Sequence, residues 1–284
     1  MTKTVLVALS TVSFAYAPLS SAQSYPGLSF DQTVHQGRDL NTSNDTVSAV
    51  LHFTTSRGNI RVEIEGRTPA TAGFIGSTHR SIMLLTDTGT KITFINDERK
   101  QYFSLNPVAS AEAVRKSLEA MGGQIIVDST RSGLSLDSLG PGPVVDGHPT
   151  LHYRLTDSLR VAVVMRGTPS GFEQHSVQDI LVAADLTDLT GVAESLTRLL
   201  DMGQAMGLAP AFVQQAKAMQ GRIHGLPLRV TKVMTVSANG RRTRTGSQDI
   251  VVSNVRRVQV PESTFAVPAG YSQFTPPRLP AVNQ

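Results

Sequence analysis

Apolar and polar residues alternate one for one along much of this chain, and that alternation confines it to a narrow class of folds. Ile60, Val62 and Ile64 are interleaved with Arg61, Glu63 and Glu65. Successive side chains on a strand point to opposite faces, so the segment reads as a strand with one wet face. Val50–Thr54 precedes it across Ser56-Arg57-Gly58-Asn59, and Ser81–Thr86, Lys91–Asn96 and Gln101–Leu105 follow. Asp87-Thr88-Gly89-Thr90 and Asn96-Asp97-Glu98-Arg99 connect these strands and carry turn residues. Parallel pairs need long crossovers, so strands joined this closely are antiparallel.

Helical periodicity interrupts the pattern twice. Asn106-Pro107 opens a helix with Val114, Leu118 and Met121 on one face, and Gly122-Gly123 ends it. Strands are expected again at Gln124–Ser129, Thr150–Leu155, Leu159–Arg166 and Phe172–Ala184, with Leu139-Gly140-Pro141-Gly142-Pro143 as a loop. Two further helices follow, Leu189–Met206 and Ala211–Gln220, the second started by Pro210 and closed by Gly221. Leu226–Ser237 and Arg241–Val255 then flank Asn239-Gly240, a strong hairpin signal. The expectation is one long antiparallel sheet with helices laid on one face.

The N-terminus reads as an address. Lys3 is followed by the short apolar run Val5–Tyr16, the breaker Pro18, and small residues in Ser20-Ser21-Ala22. This is the order of a secretory signal and predicts cleavage after Ala22, with a periplasmic or secreted product. Residues 1–22 are then signal, 23–271 a single domain, and 272–284 a Pro-rich tail. The 284 residues include no cysteine, which excludes disulfides, thiolate metal sites, Cys nucleophiles and a lipid-modified N-terminal cysteine. The formal charge of +4 is no nucleic-acid-binding extreme, and no nucleic-acid partner is expected.

Catalytic patterns fare poorly. Asp87-Thr88-Gly89 matches an aspartic-protease signature, but that chemistry needs a second such carboxylate and the chain has none, so a hairpin turn is the better reading. A Gly-x-Ser-x-Gly elbow is absent, and Asp137-Ser138-Leu139 lacks the glycine of a lipolytic block. His148 and His152, with Asp146 nearby, are too few for a metal centre. The chain is read as non-catalytic, with no metal and no cofactor.

Two binding features stand out instead. Val192, Leu196, Leu199, Met202 and Met206 form a soft stripe on the first late helix, with Phe212, Val213 and Met219 on the next. Methionine adapts to irregular partners, so Val192, Leu196, Leu199, Met202, Met206, Phe212 and Met219 are candidate contacts for a hydrophobic ligand beneath a helical lid. From Arg222 to Val258, eight Lys or Arg face Asp249 alone. Of these, Arg241, Arg242, Arg244, Arg256 and Arg257 are candidates for an anionic membrane surface or an acidic envelope protein.

Several blocks taken together carry a family resemblance: Asn59-Ile60-Arg61-Val62-Glu63, the stretch Ser81–Thr93, Asp97-Glu98-Arg99-Lys100-Gln101-Tyr102, Asp146–Tyr153, and Val260–Tyr271 with its closing Phe265-x-x-Pro268-x-Gly270-Tyr271. In this order the chain resembles a bacterial exported family known as domain of unknown function 4412. That resemblance implies a fold similar to the periplasmic lipoprotein carriers and receptors of the Lol system: a mainly β, half-open antiparallel barrel of about eleven strands with helices packed as a lid on the concave face. It implies a lipid or lipoprotein acyl chain as ligand, or a stress-sensing role without one, and no catalytic residues. Members often carry Trp in the strand matching Asp179-Ile180-Leu181-Val182, where this chain has Leu181.

Overall fold

The computed structural model describes residues 23–37, 46–65, 80–128, 130–187, 201, 210–238 and 241–275, with side chains at all of these except 36, 46–48, 80 and 241–244. The expected signal, the helix Leu189–Met206, the Asn239-Gly240 turn and the end of the tail lie outside the described residues.

Among the described residues, thirteen strands form one sheet that does not close on itself. In chain order they are β1 Ser24–Gly37, β2 Thr46–Ser56, β3 Asn59–Glu65, β4 Arg80–Thr86, β5 Lys91–Asn96, β6 Gln101–Leu105, β7 Gly123–Val127, β8 Gly133–Pro141, β9 Thr150–Met165, β10 Thr168–Ala183, β11 Leu226–Ala238, β12 Arg241–Pro261 and β13 Ser272–Gln273. Among the described residues, the helices α1 Pro107–Ala120 and α2 Pro210–Gln220 interrupt them. The spatial order is β13-β6-β5-β4-β3-β2-β1-β12-β11-β10-β9-β7, with β8 also on β9. Every pairing is antiparallel except the short β13–β6 pair. This is the large antiparallel sheet with packed helices that the period-two pattern implies, and its open form is consistent with the curved sheet that the resemblance implies.

Register decides what each face carries. Residues directly opposite in antiparallel strands share a face. Phe30, Phe53, Val62, Met83, Phe94 and Phe103 form one unbroken row across β1 to β6. Tyr153, Ile180, Val230, Ile250, Val34 and Ala49 form another from β9 to β2. Val34 and Phe30 lie four apart on β1, so both rows share the inner face. One residue along, on the outer face, runs Asp137, Arg154, Asp179, Thr231, Asp249 and His35.

Helix α1 begins where Asn106 accepts a hydrogen bond from the Ala109 N–H at 3.0 Å, with Pro107 supplying a preset φ. Helix α2 covers the inner face of β8 to β10. Its Val213 is buried, Met219 packs against the cluster Leu136, Tyr153, Ile180 and Val182, and Gln215 donates to the Leu134 carbonyl at 2.7 Å. Burying a side chain such as Val213 stabilises by about 1.5–3 kcal/mol.

The outer face is apolar where the C-terminal segment covers it. Ile82, Leu84 and Ile95 pack there with Tyr102, Val267 and Tyr271. The Arg61 guanidinium holds the segment by donating to the Thr264 carbonyl at 3.1 Å, and Tyr271 hydrogen-bonds Asp97. Lys100 lies 4.9 Å from the Tyr271 ring centroid. This strap is the structural role of the Phe-x-x-Pro-x-Gly-Tyr block.

Three stretches differ from the sequence reading. The sequence reading delimits no strand before Val50, yet β1 runs from Ser24 to Gly37 through Pro26 and Gly27. Strand β8 runs through Gly140 and Pro141 because the ladder shifts there, between Ser138 and Gly140, where Gly140 has φ +90°. Thr156-Asp157-Ser158 was expected to separate two strands, yet β9 is paired with β10 along all of its sixteen residues.

Gly27 is where β1 approaches β2 most closely. A Cβ there would strike the Thr55 carbonyl oxygen and lie 2.8 Å from Val260 Cγ2. Gly27→Ala is expected to cost about 1–3 kcal/mol in urea unfolding. Gly133→Ala, with nothing within 4 Å of its Cβ, should be neutral or stabilise by up to about 1 kcal/mol. Equal effects from the two would contradict the close-approach account.

Candidate functional site

The inner face holds a half-open cavity of about 340 Å³ where β1 meets β12, lined by Pro26, Gly27, Leu28, Arg257, Val258 and Gln259. The pairs Leu28–Arg257 and Pro26–Gln259 put those four side chains on the inner face. Buried Leu28 belongs to a core of Phe30, Ala183, Leu186, Leu226, Leu228 and Val252, with Val145 packed against it. Phe30 and Phe53 stack at 4.9 Å, which joins this core to the row running out to β6. The cavity thus has an apolar floor and, in Arg257 and Gln259, a polar wall that is exposed to solvent.

Beside it lie the turn before β9 and the turn after β10. Val145 and His148 bridge backbone to backbone, with Asp146 and Gly147 at positive φ between them. His148 Nδ1 lies 2.8 Å from Asp185 Oδ2. That hydrogen bond, with the more distant field of Arg257, holds the Asp185 carboxyl below the usual carboxylate range.

Among the described residues, the inner face also carries one buried acidic side chain, Asp157. Asp157 accepts a hydrogen bond from the buried Ser176 hydroxyl, and the Gln174 and Gln178 amides each lie 3.4 Å away. These three donors come from alternate positions of β10, so the carboxylate is solvated by the neighbouring strand. This explains why Thr156-Asp157-Ser158 is strand and not turn. A slip of one residue would point all three donors away from the carboxylate.

The sequence-derived candidates fall in different places. Met219 is committed to the core under α2, and Phe212 is half-buried on the same helix. Val192, Leu196, Leu199, Met202 and Met206 lie outside the described residues. The basic run is divided by the strand period. Arg229 is held by Asp249 through two hydrogen bonds of 3.1 and 2.9 Å, with Thr231 donating to the same carboxylate. Arg256 lies opposite Ser29 on the outer face, while Arg257 lies opposite Leu28 on the inner one. Arg241, Arg242 and Arg244 stand on β12 opposite Ala238, Ser237 and Val236, their side chains outside the description.

Asp87-Thr88-Gly89 is a single 3-10 turn joining β4 to β5, as the turn reading expects. His148 and His152 serve separate carboxylates, since His152 lies 3.1 Å from Asp179, which Arg154 also binds at 3.0 and 3.2 Å. Among the described residues no group of three or more His, Cys, Asp or Glu is placed to hold a metal ion. None of their helices is long and apolar enough to cross a membrane. Sequence reading missed the β1–β12 cavity, because its walls come from segments more than two hundred residues apart. No family model matches the chain, and no curated protein matches it.

Two outcomes test this geometry. Asp157→Ala strands the Ser176 and Gln donors and should cost about 1–3 kcal/mol in chemical unfolding, whereas an unchanged midpoint would remove Asp157 from the role of strand lock. On the outer face His52 lies 2.6 Å from Asp31 and 3.6 Å from Glu65. The Asp31 hydrogen bond raises the His52 pKa. Burial alone would raise Asp31, but the His52 and Asn254 hydrogen bonds outweigh it and the net shift is downward. The imidazolium therefore stabilises fully below its unfolded value near pH 6.5, and that contribution fades as pH rises through the raised folded value. The Asp31 contribution is present above about pH 3.9 and fades as pH falls through the lowered folded value. The stability lost in His52→Gln should be greatest between about pH 4 and 6.5 and shrink at higher pH, as measured by thermal melts across that range.

Proposed function

We propose that this is an exported, non-catalytic binding or carrier protein for a hydrophobic, acyl-bearing ligand held on the inner face of the open sheet. The observation that carries this reading is the half-open cavity at β1 and β12. Its volume of about 340 Å³ falls in the range of small-molecule pockets, and its floor is continuous with apolar rows spanning the sheet. Burial against such a floor contributes about 25 cal/mol for each Å² of apolar surface removed from water.

Two further lines support it. The N-terminal order of Lys3, apolar run and small residues before Gln23 fits an exported chain. The resemblance to the exported family of unknown function, and through it to lipoprotein carriers, fits an acyl-bearing ligand. The sheet architecture agrees with that plan, although α2 is packed down on its half of the face, and among the described residues the β1–β12 end is the open part.

Native mass spectrometry of protein purified from a periplasmic extract should show lipid-sized adducts, and the protein should take up a fluorescent fatty-acid probe. Gln259→Trp, which fills the cavity mouth, should weaken uptake by about tenfold or more while leaving the melting temperature unchanged. A clean unliganded mass together with no probe uptake would overturn the proposal.

A further inference from the structure

We infer that the outward edge of β7 is a self-association surface, at which a second copy of this chain adds its own β7 antiparallel and extends the sheet across a two-fold axis. The inference goes beyond the carrier reading and stands without it. β7 ends the strand order on the side away from β6, and among the described residues no strand follows it. The Asp128 N–H donates to the Arg160 carbonyl at 3.0 Å, and the Arg166 N–H to the Gly122 carbonyl at 3.1 Å. Even-numbered positions therefore bond β9, while Gly123, Ile125 and Val127 turn their N–H and C=O groups away from the sheet. Among the described residues no partner meets those groups.

The other outer strands of this sheet are blunted. β6 takes β13, and the Leu134 carbonyl of β8 takes the Gln215 amide of α2. β7, by contrast, reads Gly123-Gln124-Ile125-Ile126-Val127, with neither the charge nor the proline that guards an exposed edge, and Ile126 is 44% exposed. A two-fold axis sets an edge against itself, so any charge on it would meet its like; this edge has none to repel. Of the registers such an axis allows, the one centred on Ile125 pairs Ile125 with its own copy and Gly123 with Val127. All three outward positions then exchange both hydrogen bonds. That axis is normal to the sheet, so α1 of each copy stays on the inner side, where a Cβ on Gly123 would strike Leu118. Beside Leu118, α1 leaves Val114 and Met121 45% and 40% exposed. A short edge alone buries less than the about 1,200 Å² of a stable interface, and this apolar flank adds to it. The β1–β12 cavity stays open in such a dimer, with β11, β10 and β9 between it and β7.

Sedimentation of the purified protein over about a hundredfold range of concentration should resolve a reversible dimer. Ile125→Pro removes an outward N–H without touching a bond to β9, and should weaken that dimer about tenfold or more while the far-UV spectrum is unchanged. Ile126→Lys, at an exposed position that tolerates a charge, should weaken it comparably and keeps the test open if the proline variant fails to fold. Val144→Lys should leave the dimer intact, because Val144 is exposed beside the start of β9 whereas β7 pairs with its end. The chain has no cysteine, so Ile125→Cys places a single thiol at the axis, where a short bis-maleimide should join two copies far more efficiently than it joins Val144→Cys. A monomer throughout the range, a dimer unaffected by both Ile125→Pro and Ile126→Lys, or cross-linking no greater at Ile125→Cys than at Val144→Cys would each overturn the inference. Capture of a different protein by β7 in a chain that stays monomeric would overturn it as well.

Discussion

The register of the antiparallel ladder is the constraint on which the rest of this structure depends. Because the side-chain period is two, a shift of one position would exchange the row Tyr153, Ile180, Val230, Ile250 and Val34 for the row Arg154, Asp179, Thr231, Asp249 and His35. Such a slip would bury carboxylates without partners and expose the core. The long pairing of β9 with β10 is locked from within by Asp157, whose donors all lie on the neighbouring strand. On the outer face, Arg154 with Asp179 and Arg229 with Asp249 repeat the same logic across strands. These exposed pairs contribute little energy individually, and their value lies in specifying which residue faces which.

An open sheet of this size must cover two faces and two edges. The inner face is covered on one half by α2, which Gln215 pins to β8 and Met219 fills. The outer face is covered on the other half by the C-terminal strap through Val267 and Tyr271. The edge strand β6 takes two parallel residues of β13, with Ser272 and Phe274 donating to the Lys100 and Tyr102 carbonyls at 2.9 and 2.7 Å. Among the described residues, these covers leave accessible the seam where β1 closes against β12, and the cavity lies at that seam. Gly27, which lets β1 lie close to β2, is also part of its wall.

The basic segment shows how a linear reading misleads on a strand. Eight Lys or Arg between Arg222 and Val258 look like one positive surface. Folded, Arg229 spends its charge on Asp249, Arg256 lies near Asp31 on the outer side, and Arg257 turns to the inner side. A charge run on a helix shares faces every three or four residues, whereas on a strand neighbours are always separated.

The sequence by itself determined that this chain is a two-faced antiparallel sheet. Alternation at Ile60–Glu65 and turn-sized connectors leave no other arrangement of those segments, and local forces suffice to set strands, caps and hairpins. It also marked the N-cap at Asn106 and the turn at Asp87–Gly89, because both depend on residues within a few positions of each other. Only the tertiary structure decided that β1, punctuated by Pro26 and Gly27, pairs with β12, that Thr156-Asp157-Ser158 stays extended, and that a cavity opens beside Arg257. Each of these depends on groups far away in the chain: the close approach to Thr55, the donors of β10, and a wall built from residues near both ends. Nothing local in Arg257 distinguishes it from Arg256 beside it. The period of the strand and the partner across the ladder make one an outer-face charge and the other the wall of a candidate site.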